Sequence, residues 1–180
     1  VGAGVTHLKE GDRSGAPCLH TACGRFEHCV GGWETLCPDQ QMTGYTVNGG
    51  YAEYVACDAN YVGQLPDKLD FGPAAPLLCA GVTVYKGLKE LELKPGDWCA
   101  ISGIGGLGHM AVQYAKAMGL HVVAVDVHQD KLDLAAKLGA DMTFHAVDQD
   151  PVGELQKMMD GVNGVLVTAV SNSAFSQAVG

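Results

Sequence analysis

The sequence lacks any apolar run long enough to cross a bilayer and any tract of basic residues. The N-terminus, which begins at Val1, has no basic stretch followed by an apolar core, so no secretory signal is visible. The chain has 11 Lys and Arg against 20 Asp and Glu, a net charge of −9. This charge disfavours nucleic acid, whose phosphates are bound by clustered Lys and Arg. These absences predict a cytoplasmic protein that binds neither nucleic acid nor a membrane.

Cysteine is the residue type that most needs an explanation. The chain has 7 cysteines, an odd number, and Cys23, Cys29 and Cys37 lie close together in the sequence. Without an export signal, metal ligands in a reducing compartment fit better than disulfides. Structural zinc requires four ligands, and only His28, Glu27 or water could complete three thiolates here. A zinc site and a cluster of free thiols both stay open on these residues alone.

The amino-acid composition and the hydrophobic pattern of the chain change near residue 78. The first part is rich in Gly, Cys and turn residues and predicts an irregular β domain over residues 1–78, with strands at 1–5 and 51–55. From residue 79 onward, short apolar runs alternate with segments of helical periodicity. This alternation predicts an α/β fold with a doubly wound parallel sheet over 79–180.

Four strands and their helices are expected in that second domain. A Rossmann sheet usually has six strands, so the sequence predicts an incomplete one. The strands are predicted at 98–102, 121–125, 142–144 and 164–170, and the helices at 77–93, 107–118, 130–138, 153–159 and after a cap at Asn172 or Ser173.

A glycine-rich turn after the first of these strands is the strongest single motif. Gly103, Gly105 and Gly108 supply G-x-G-x-x-G, in which the glycines allow a tight turn, close approach of a pyrophosphate and close helix packing. Amides at the start of the following helix then point at the phosphates. Asp126 ends the next strand, where an acid binds the adenosine ribose 2′-OH and repels a 2′-phosphate. The motif therefore predicts NAD binding, with NAD preferred over NADP.

Several blocks together make the chain resemble the zinc-containing medium-chain dehydrogenase family, close to the bacterial and fungal tetrameric alcohol dehydrogenases. The resemblance covers essentially all 180 residues. Its carriers are Val1 to Val5, Gly32 to Cys37, Asn48 to Tyr54, Leu78 to Lys86, Gly103 to Gly108 and Gln113 to Gly119.

The resemblance implies a partial GroES-like domain followed by a truncated Rossmann domain. It also implies reversible hydride transfer between a small alcohol and NAD, with a catalytic zinc acting as a Lewis acid. Cys79 matches the last catalytic zinc ligand. The positions that match cofactor contacts are Thr83, Gly103, Gly105, Gly106, Leu107, Gly108, Asp126, Lys131 and Val170. A homotetramer is implied for the full-length protein.

Two positions depart from the family pattern. Cys23, Cys29 and Cys37 match three of the four structural zinc ligands, but Phe26 stands where the family has the fourth cysteine. The cysteine lobe could bind zinc weakly, use a substitute ligand or be empty. Cys18 stands where relatives commonly have Trp on the wall of the alcohol pocket. A smaller side chain there predicts a pocket that admits bulkier alcohols, and equal rates on ethanol-sized and branched substrates would leave this prediction unsupported.

The family's other catalytic zinc ligands and the last sheet strands have no counterpart in the sequence, which therefore resembles an internal segment of a longer enzyme. Two alternatives stay open beside an NAD-linked alcohol dehydrogenase. One is a zinc-dependent relative that acts on polyols or aldehydes. The other is a nucleotide-binding module without turnover, because one thiolate cannot hold a catalytic zinc.

Overall fold

The computed structural model describes residues 1–180, which divide into two compact units, Val1–Cys79 and Ala80–Gly180. The first unit contains very short elements, as its many turn residues require. Its strands form two antiparallel pairs, β1 with β4 and β2 with β3. The elements are β1 (Ser14–Gly15), β2 (Leu19–Thr21), α1 (Glu27–Val30), β3 (Gln41–Met42), β4 (Gly63–Gln64) and α2 (Phe71–Ala74), with 3-10 helices at Glu34–Leu36 and Ala75–Leu78.

Two strands predicted in this unit are wrong. Residues 1–5 form a turn in which Val5 N donates to Gly2 O at 3.2 Å, and Gly4 has a φ of 94°. Residues 51–55 are irregular, and Tyr51 and Tyr54 are exposed. A strand is stabilised by ladder hydrogen bonds to a neighbour, and neither segment has a neighbouring strand. The local sequence pattern was therefore insufficient to predict whether these two segments form strands.

The second unit is built on a parallel sheet in the order β7-β6-β5-β8. All four predicted strands are present, which confirms the α/β class and the incomplete doubly wound sheet. The last strand is shorter than predicted and ends at Val167, before Val170. The strands are β5 (Trp98–Ser102), β6 (His121–Asp126), β7 (Met142–His145) and β8 (Gly164–Val167).

Helices connect and cover these strands. They are α3 (Ala80–Glu90), α4 (Gly108–Ala117), α5 (Gln129–Lys137), α6 (Pro151–Met159) and α7 (Asn172–Ala178). The N-cap position of the last helix is Ser171, whose side chain makes no capping hydrogen bond, and not the predicted Asn172 or Ser173. The core of the sheet is buried from solvent: Ile101 in β5 and Val122 and Val123 in β6 are fully buried. Burial on both faces is what continuous apolar strands of a parallel sheet require.

The single helix predicted at 77–93 is also wrong. The segment is a 3-10 helix that ends at Leu78, then Cys79 with φ −127° and ψ −76°, then α3 from Ala80. This conformation is non-helical, so Cys79 does not share a helix with Thr83 as its spacing had indicated. Cys79 instead lies at the break that precedes α3.

No helix combines the length and the apolar character that a membrane span would need.

Candidate functional site

The glycine loop begins where β5 ends, and its first glycine is sterically required. Gly103 has a φ of +91°, in the left-handed region that favours glycine. A Cβ at this position would also lie 2.7 Å from Ala169 N. Gly103 N donates to Val125 O at 2.8 Å, and Thr168 Oγ1 donates to Gly103 O at 2.6 Å. The turn is thereby fixed between β6 and the residue that follows β8.

The rest of the loop combines one crowded glycine with an open stretch of backbone. A Cβ on Gly108, the first residue of α4, would overlap the Gly103 carbonyl, whereas a Cβ on Gly105 or Gly106 would meet no atom within 4 Å. His109 Nδ1 lies 2.9 Å from Gly105 O and holds that carbonyl by donating to it. The start of α4 therefore lies beside exposed backbone, the arrangement that binds anions through free amides and the helix dipole.

Asp126 lies at the carboxyl end of β6 and is only 7% exposed. Its Oδ2 accepts a hydrogen bond from Ile104 N at 2.6 Å, and its Oδ1 accepts one from His128 N at 2.9 Å. These two bonds attach the glycine loop to β6 and satisfy a nearly buried charge. Sequence reasoning assigned Asp126 to a ribose and missed this second role.

A cleft of about 500 Å³ opens at the carboxyl ends of β5, β6 and β8. In doubly wound sheets this edge is where ligands bind. The cleft brings together five of the predicted cofactor residues, namely Gly103, Gly105, Asp126, Lys131 and Val170. Thr168, His128 and Ser171 also line it and were missed, because residues that follow a strand carry no motif of their own.

The remaining predicted cofactor residues lie outside that lining. Gly106, Leu107 and Gly108 belong to the same loop, and Leu107 is 36% exposed. Thr83 lies in α3 with an exposed side chain.

The three cysteines of the first unit converge on one point. The Sγ atoms of Cys23, Cys29 and Cys37 all lie within 4.8 Å of one another, and Cys23 and Cys29 are 3.7 Å apart. A tetrahedral zinc with Zn–S bonds of ~2.3 Å has S–S edges of about 3.8 Å, so these thiols fit three corners of such a site.

Backbone amides around the cluster favour the thiolate form. Hydrogen bonds from the amides of Arg25 and Phe26 lower the pKa of Cys23 to about 7. Burial, together with the neighbouring thiols, raises the pKa of Cys29. Cys23 N also donates to Cys37 Sγ at 3.5 Å. Amide donors aimed at sulfur are a favourable setting for a metal thiolate.

The fourth corner has no ligand from this chain. Phe26, at the N-cap of α1, contributes its amide to Cys23, while its side chain is 44% exposed. Neither His28 nor Glu27 belongs to the cluster. The lobe therefore brings three thiols into an arrangement compatible with zinc, and no His, Cys, Asp or Glu side chain completes a fourth corner.

Cys79 and Cys18 form a separate thiol pair in the first unit. Cys18 donates to Cys79 with an Sγ–Sγ distance of 3.8 Å, and both residues are exposed. Partial burial, followed by the bond to Cys79, raises the pKa of Cys18. No three-ligand group of His, Cys, Asp or Glu forms around Cys79 within residues 1–180. The assignment of Cys79 as a metal ligand therefore stays a prediction.

Comparisons with known proteins agree with this geometry. Residues 1–67 match the alcohol dehydrogenase GroES-like domain family, and residues 106–180 match the zinc-binding dehydrogenase family. A curated alcohol dehydrogenase from Moraxella sp. is 63% identical over 179 residues, which cover 99% of this chain and 53% of that relative. The chain spans about half the length of the curated relatives it matches.

Two solved structures share the fold. An alcohol dehydrogenase from Thermus sp. matches with a TM-score of 0.89 and 30% identity, over 99% of this chain and 54% of that one. The acetophenone reductase from Geotrichum candidum, solved in complex with NAD, matches with a TM-score of 0.83 and 29% identity, over 99% and 52%. Both the GroES-like part and the incomplete Rossmann part predicted from sequence are confirmed. The chain belongs to the zinc-containing medium-chain alcohol dehydrogenase family.

Proposed function

We propose that this chain is part of an NAD-dependent alcohol dehydrogenase that interconverts an alcohol and its aldehyde or ketone by hydride transfer. The observation that carries the proposal is the cleft at the carboxyl edge of the sheet, where the glycine loop, Asp126 and Lys131 meet. Relatives named alcohol dehydrogenase, at 53–63% identity, support the same activity.

Each residue of the cleft has a role that follows from its chemistry. The open backbone at Gly105 and Gly106 leaves room for a pyrophosphate against the first turn of α4. The Asp126 carboxylate accepts hydrogen bonds from the adenosine ribose, and Lys131 reaches the same ribose. Outside the cleft lining, Leu107 and Thr83 are proposed contacts for the nicotinamide, and within it Val170 is a further cofactor-lining residue. Gly103 and Gly108 keep the turn tight and touch the cofactor only through their backbone.

Zinc enters the proposal at two places. Cys79 is one ligand of the catalytic ion, and Cys23, Cys29 and Cys37 hold the structural ion with an open fourth position. A zinc ion held at Cys79 would supply a Lewis acid for the alcohol oxygen. Cys18 borders this position, 3.8 Å from Cys79 Sγ. The whole enzyme is proposed to be a cytoplasmic homotetramer, which light scattering on the full-length protein tests.

Cofactor choice is the most direct test. Titration of the protein with NADH and NADPH, followed by the change in fluorescence of the reduced nicotinamide, is expected to give the lower Kd for NADH. A 2′-phosphate would meet the carboxylate of Asp126, and two anions repel strongly at a site only 7% exposed. A lower Kd for NADPH would refute the assignment of Asp126.

A nucleotide-binding module without turnover is the second candidate, favoured by the lack of further metal ligands around Cys79. It predicts NADH binding without alcohol oxidation. An assay of alcohol oxidation by the whole protein, expressed with any residues that its gene encodes on either side of this chain, separates the two candidates. NADH formation from NAD and an alcohol supports the dehydrogenase.

A further inference from the structure

The pair formed by Cys18 and Cys79 lies outside the three-cysteine cluster. The residues are 61 positions apart, yet their Sγ atoms are separated by 3.8 Å. Both residues are exposed, so a small oxidant can reach the sulfurs. Two accessible thiols at this separation differ from the buried thiol of Cys99, which no solvent reaches.

Packing of the backbone around the pair fixes this proximity. Strand β1, just before Cys18, pairs with β4 through Ser14 with Gln64 and Gly15 with Gly63. Leu78, next to Cys79, packs onto both glycines: its side chain occupies the place of a Cβ on Gly15 and lies 3.7 Å from one on Gly63. The segment on the other side of Cys18 is held as well, because Cys18 O accepts a bond from Thr43 N at 2.8 Å. The fold therefore holds the two cysteines side by side.

We propose that Cys18 and Cys79 form a reversible disulfide when hydrogen peroxide meets the protein without metal at Cys79. One thiolate attacks the peroxide, which breaks the O–O bond and gives a sulfenic acid and hydroxide. The second thiolate then attacks the sulfenic sulfur and displaces its oxygen, which leaves as water after protonation. The two thiols lose two electrons in total, and the peroxide is reduced to two waters.

The bond requires only a local movement. An S–S bond is ~2.05 Å long, so the sulfurs must approach by about 1.8 Å. Rotation about χ1 of two exposed side chains can supply such a shift without breaking the β1–β4 pair.

The disulfide has a consequence for the metal, and this step depends on the proposed function. A sulfur held in a disulfide is no longer a thiolate and cannot ligate zinc. Oxidation would therefore remove Cys79 from the catalytic site, and zinc bound to Cys79 would in turn protect it. Cys18 would act as the resolving thiol that keeps this oxidation reversible by blocking progress to sulfinic acid.

Peptide mapping of the full chain tests the proposal. The protein is stripped of metal with a chelator, treated with equimolar hydrogen peroxide, alkylated and digested with trypsin without reduction. Cleavage after Arg13, Arg25, Lys68 and Lys86 places Cys18 with Cys23 in peptide 14–25 and Cys79 alone in peptide 69–86. We expect these two peptides to be linked, and dithiothreitol to separate them.

Variants identify which cysteine forms the link. The linked peptide should persist in Cys23→Ser and disappear in Cys18→Ser and Cys79→Ser. A linked peptide that survives in Cys18→Ser, or a Cys79 oxidised to sulfinic acid without any link, would overturn the proposal. Because Cys23 and Cys29 lie 3.7 Å apart, a link confined to those residues would overturn it as well.

Zinc separates this inference from the proposed function. Saturating zinc before peroxide is expected to lower the yield of the link. A link that forms equally with and without zinc upholds the disulfide and counts against Cys79 as a zinc ligand.

Discussion

At the scale of single residues, Asp126 has an observed role in holding the glycine loop and a proposed role in binding the cofactor. Both of its oxygens accept backbone amides, one from the glycine loop and one from the start of the α5 segment. The carboxylate therefore shapes the loop before any cofactor arrives. Only 7% of its surface is exposed at the end of a buried strand. Water therefore screens the carboxylate charge weakly, and the charge acts strongly on groups close to it.

Replacing Asp126 with Asn is expected to weaken NADH binding by roughly ten- to a hundredfold. The neutral amide loses the charge-assisted hydrogen bond proposed from the adenosine ribose, and a hydrogen bond to a charged acceptor contributes about 1.5–3 kcal/mol. Calorimetric titration of the variant measures the Kd. Asp130→Asn, an exposed carboxylate in the first turn of α5, is the matched control and should bind as the wild type does. Equal affinities for the Asp126 variant and the wild type would contradict the role of Asp126.

Phe26→Cys is expected to raise zinc retention by the cysteine lobe. Phe26 already directs its amide at Cys23, and a fourth thiolate completes the tetrahedron that closed structural sites use. Zinc is measured per chain by atomic emission after dialysis against a competing chelator. Val30→Cys adds a thiol to an exposed side chain, 77% accessible, at the end of α1 and should not increase retention. If both variants retain zinc equally, the fourth corner does not lie at residue 26.

At the scale of elements, different glycines of the glycine loop allow close backbone packing and leave the backbone accessible to a ligand. Gly108 is needed because the chain turns back on Gly103, whereas Gly105 leaves open space. The same motif thus contains one glycine required by the fold and another that keeps a surface free. Thr168 and His109 add hydrogen bonds that no glycine pattern encodes.

Two alanine substitutions are expected to divide these effects. Gly108→Ala forces a Cβ into the Gly103 carbonyl and should cost about 1–3 kcal/mol of unfolding free energy, seen as a Tm lower by several degrees. Gly105→Ala should leave the Tm nearly unchanged and raise the Kd for NADH, because its methyl group occupies the space above the backbone. Differential scanning fluorimetry and titration measure both quantities. A Tm loss at Gly105 and none at Gly108 would reverse the assignment.

Asp141 connects three elements of the sheet layer. It accepts Lys116 Nζ from α4 at 2.8 Å and Val122 N from β6 at 2.7 Å, directly before β7. Burial alone would raise its pKa, but these bonds and the charges of Lys116 and His121 outweigh it and hold the pKa of Asp141 below its usual value. The ionised form therefore stabilises the folded state.

Asp141→Asn is expected to lower stability at pH 7 by about 1–2 kcal/mol, since a part-exposed ion pair and one charged hydrogen bond are lost. A depressed folded pKa means that the contribution is complete above the unfolded value of about 3.9 and is lost as pH falls through the folded value. Denaturant melts from pH 7 down to acid should show the two proteins converging. Asp133→Asn, which loses only a bond from Gln129, is the control. A gap that stays constant to low pH would exclude ionisation as its cause.

At the scale of the whole molecule, the nucleotide cleft and the thiols belong to different units. The cleft residues all lie within Ala80–Gly180, and Cys18, Cys79 and the three-cysteine cluster lie within Val1–Cys79. The proposed nucleotide site and the proposed metal ligands therefore come from different units of the chain.

The 180-residue chain produced alone is expected to form no NADH from an alcohol and NAD. Cys79 is the single catalytic ligand proposed in this chain, and a catalytic zinc requires three protein ligands. Absorbance at the NADH band in the presence of zinc measures turnover, and a preparation without protein gives the baseline. Steady NADH formation above that baseline would show that this chain assembles a working metal site by itself.

Much of the second unit could be predicted from the sequence because its signals are local. Apolar runs of strand length predict β5 to β8. The G-x-G-x-x-G pattern followed by Asp126 predicts a nucleotide-binding edge of the sheet, because the glycines meet steric requirements that can be recognised locally. The first unit was harder. Residues 1–5 and 51–55 have the composition of strands but no neighbouring strand to pair with. A local sequence pattern does not indicate whether a distant segment will form that pair.

The sequence by itself therefore determined the α/β class, the strand series and the residues of the glycine loop. Only the tertiary structure decided that Cys79 lies at a break before α3, that three cysteines converge within 4.8 Å, and that Cys18 lies 3.8 Å from Cys79. The physical reason is range. Backbone preference and periodicity act over a few neighbouring residues, whereas the distance between two sulfurs 61 residues apart depends on how β1, β4 and Leu78 pack.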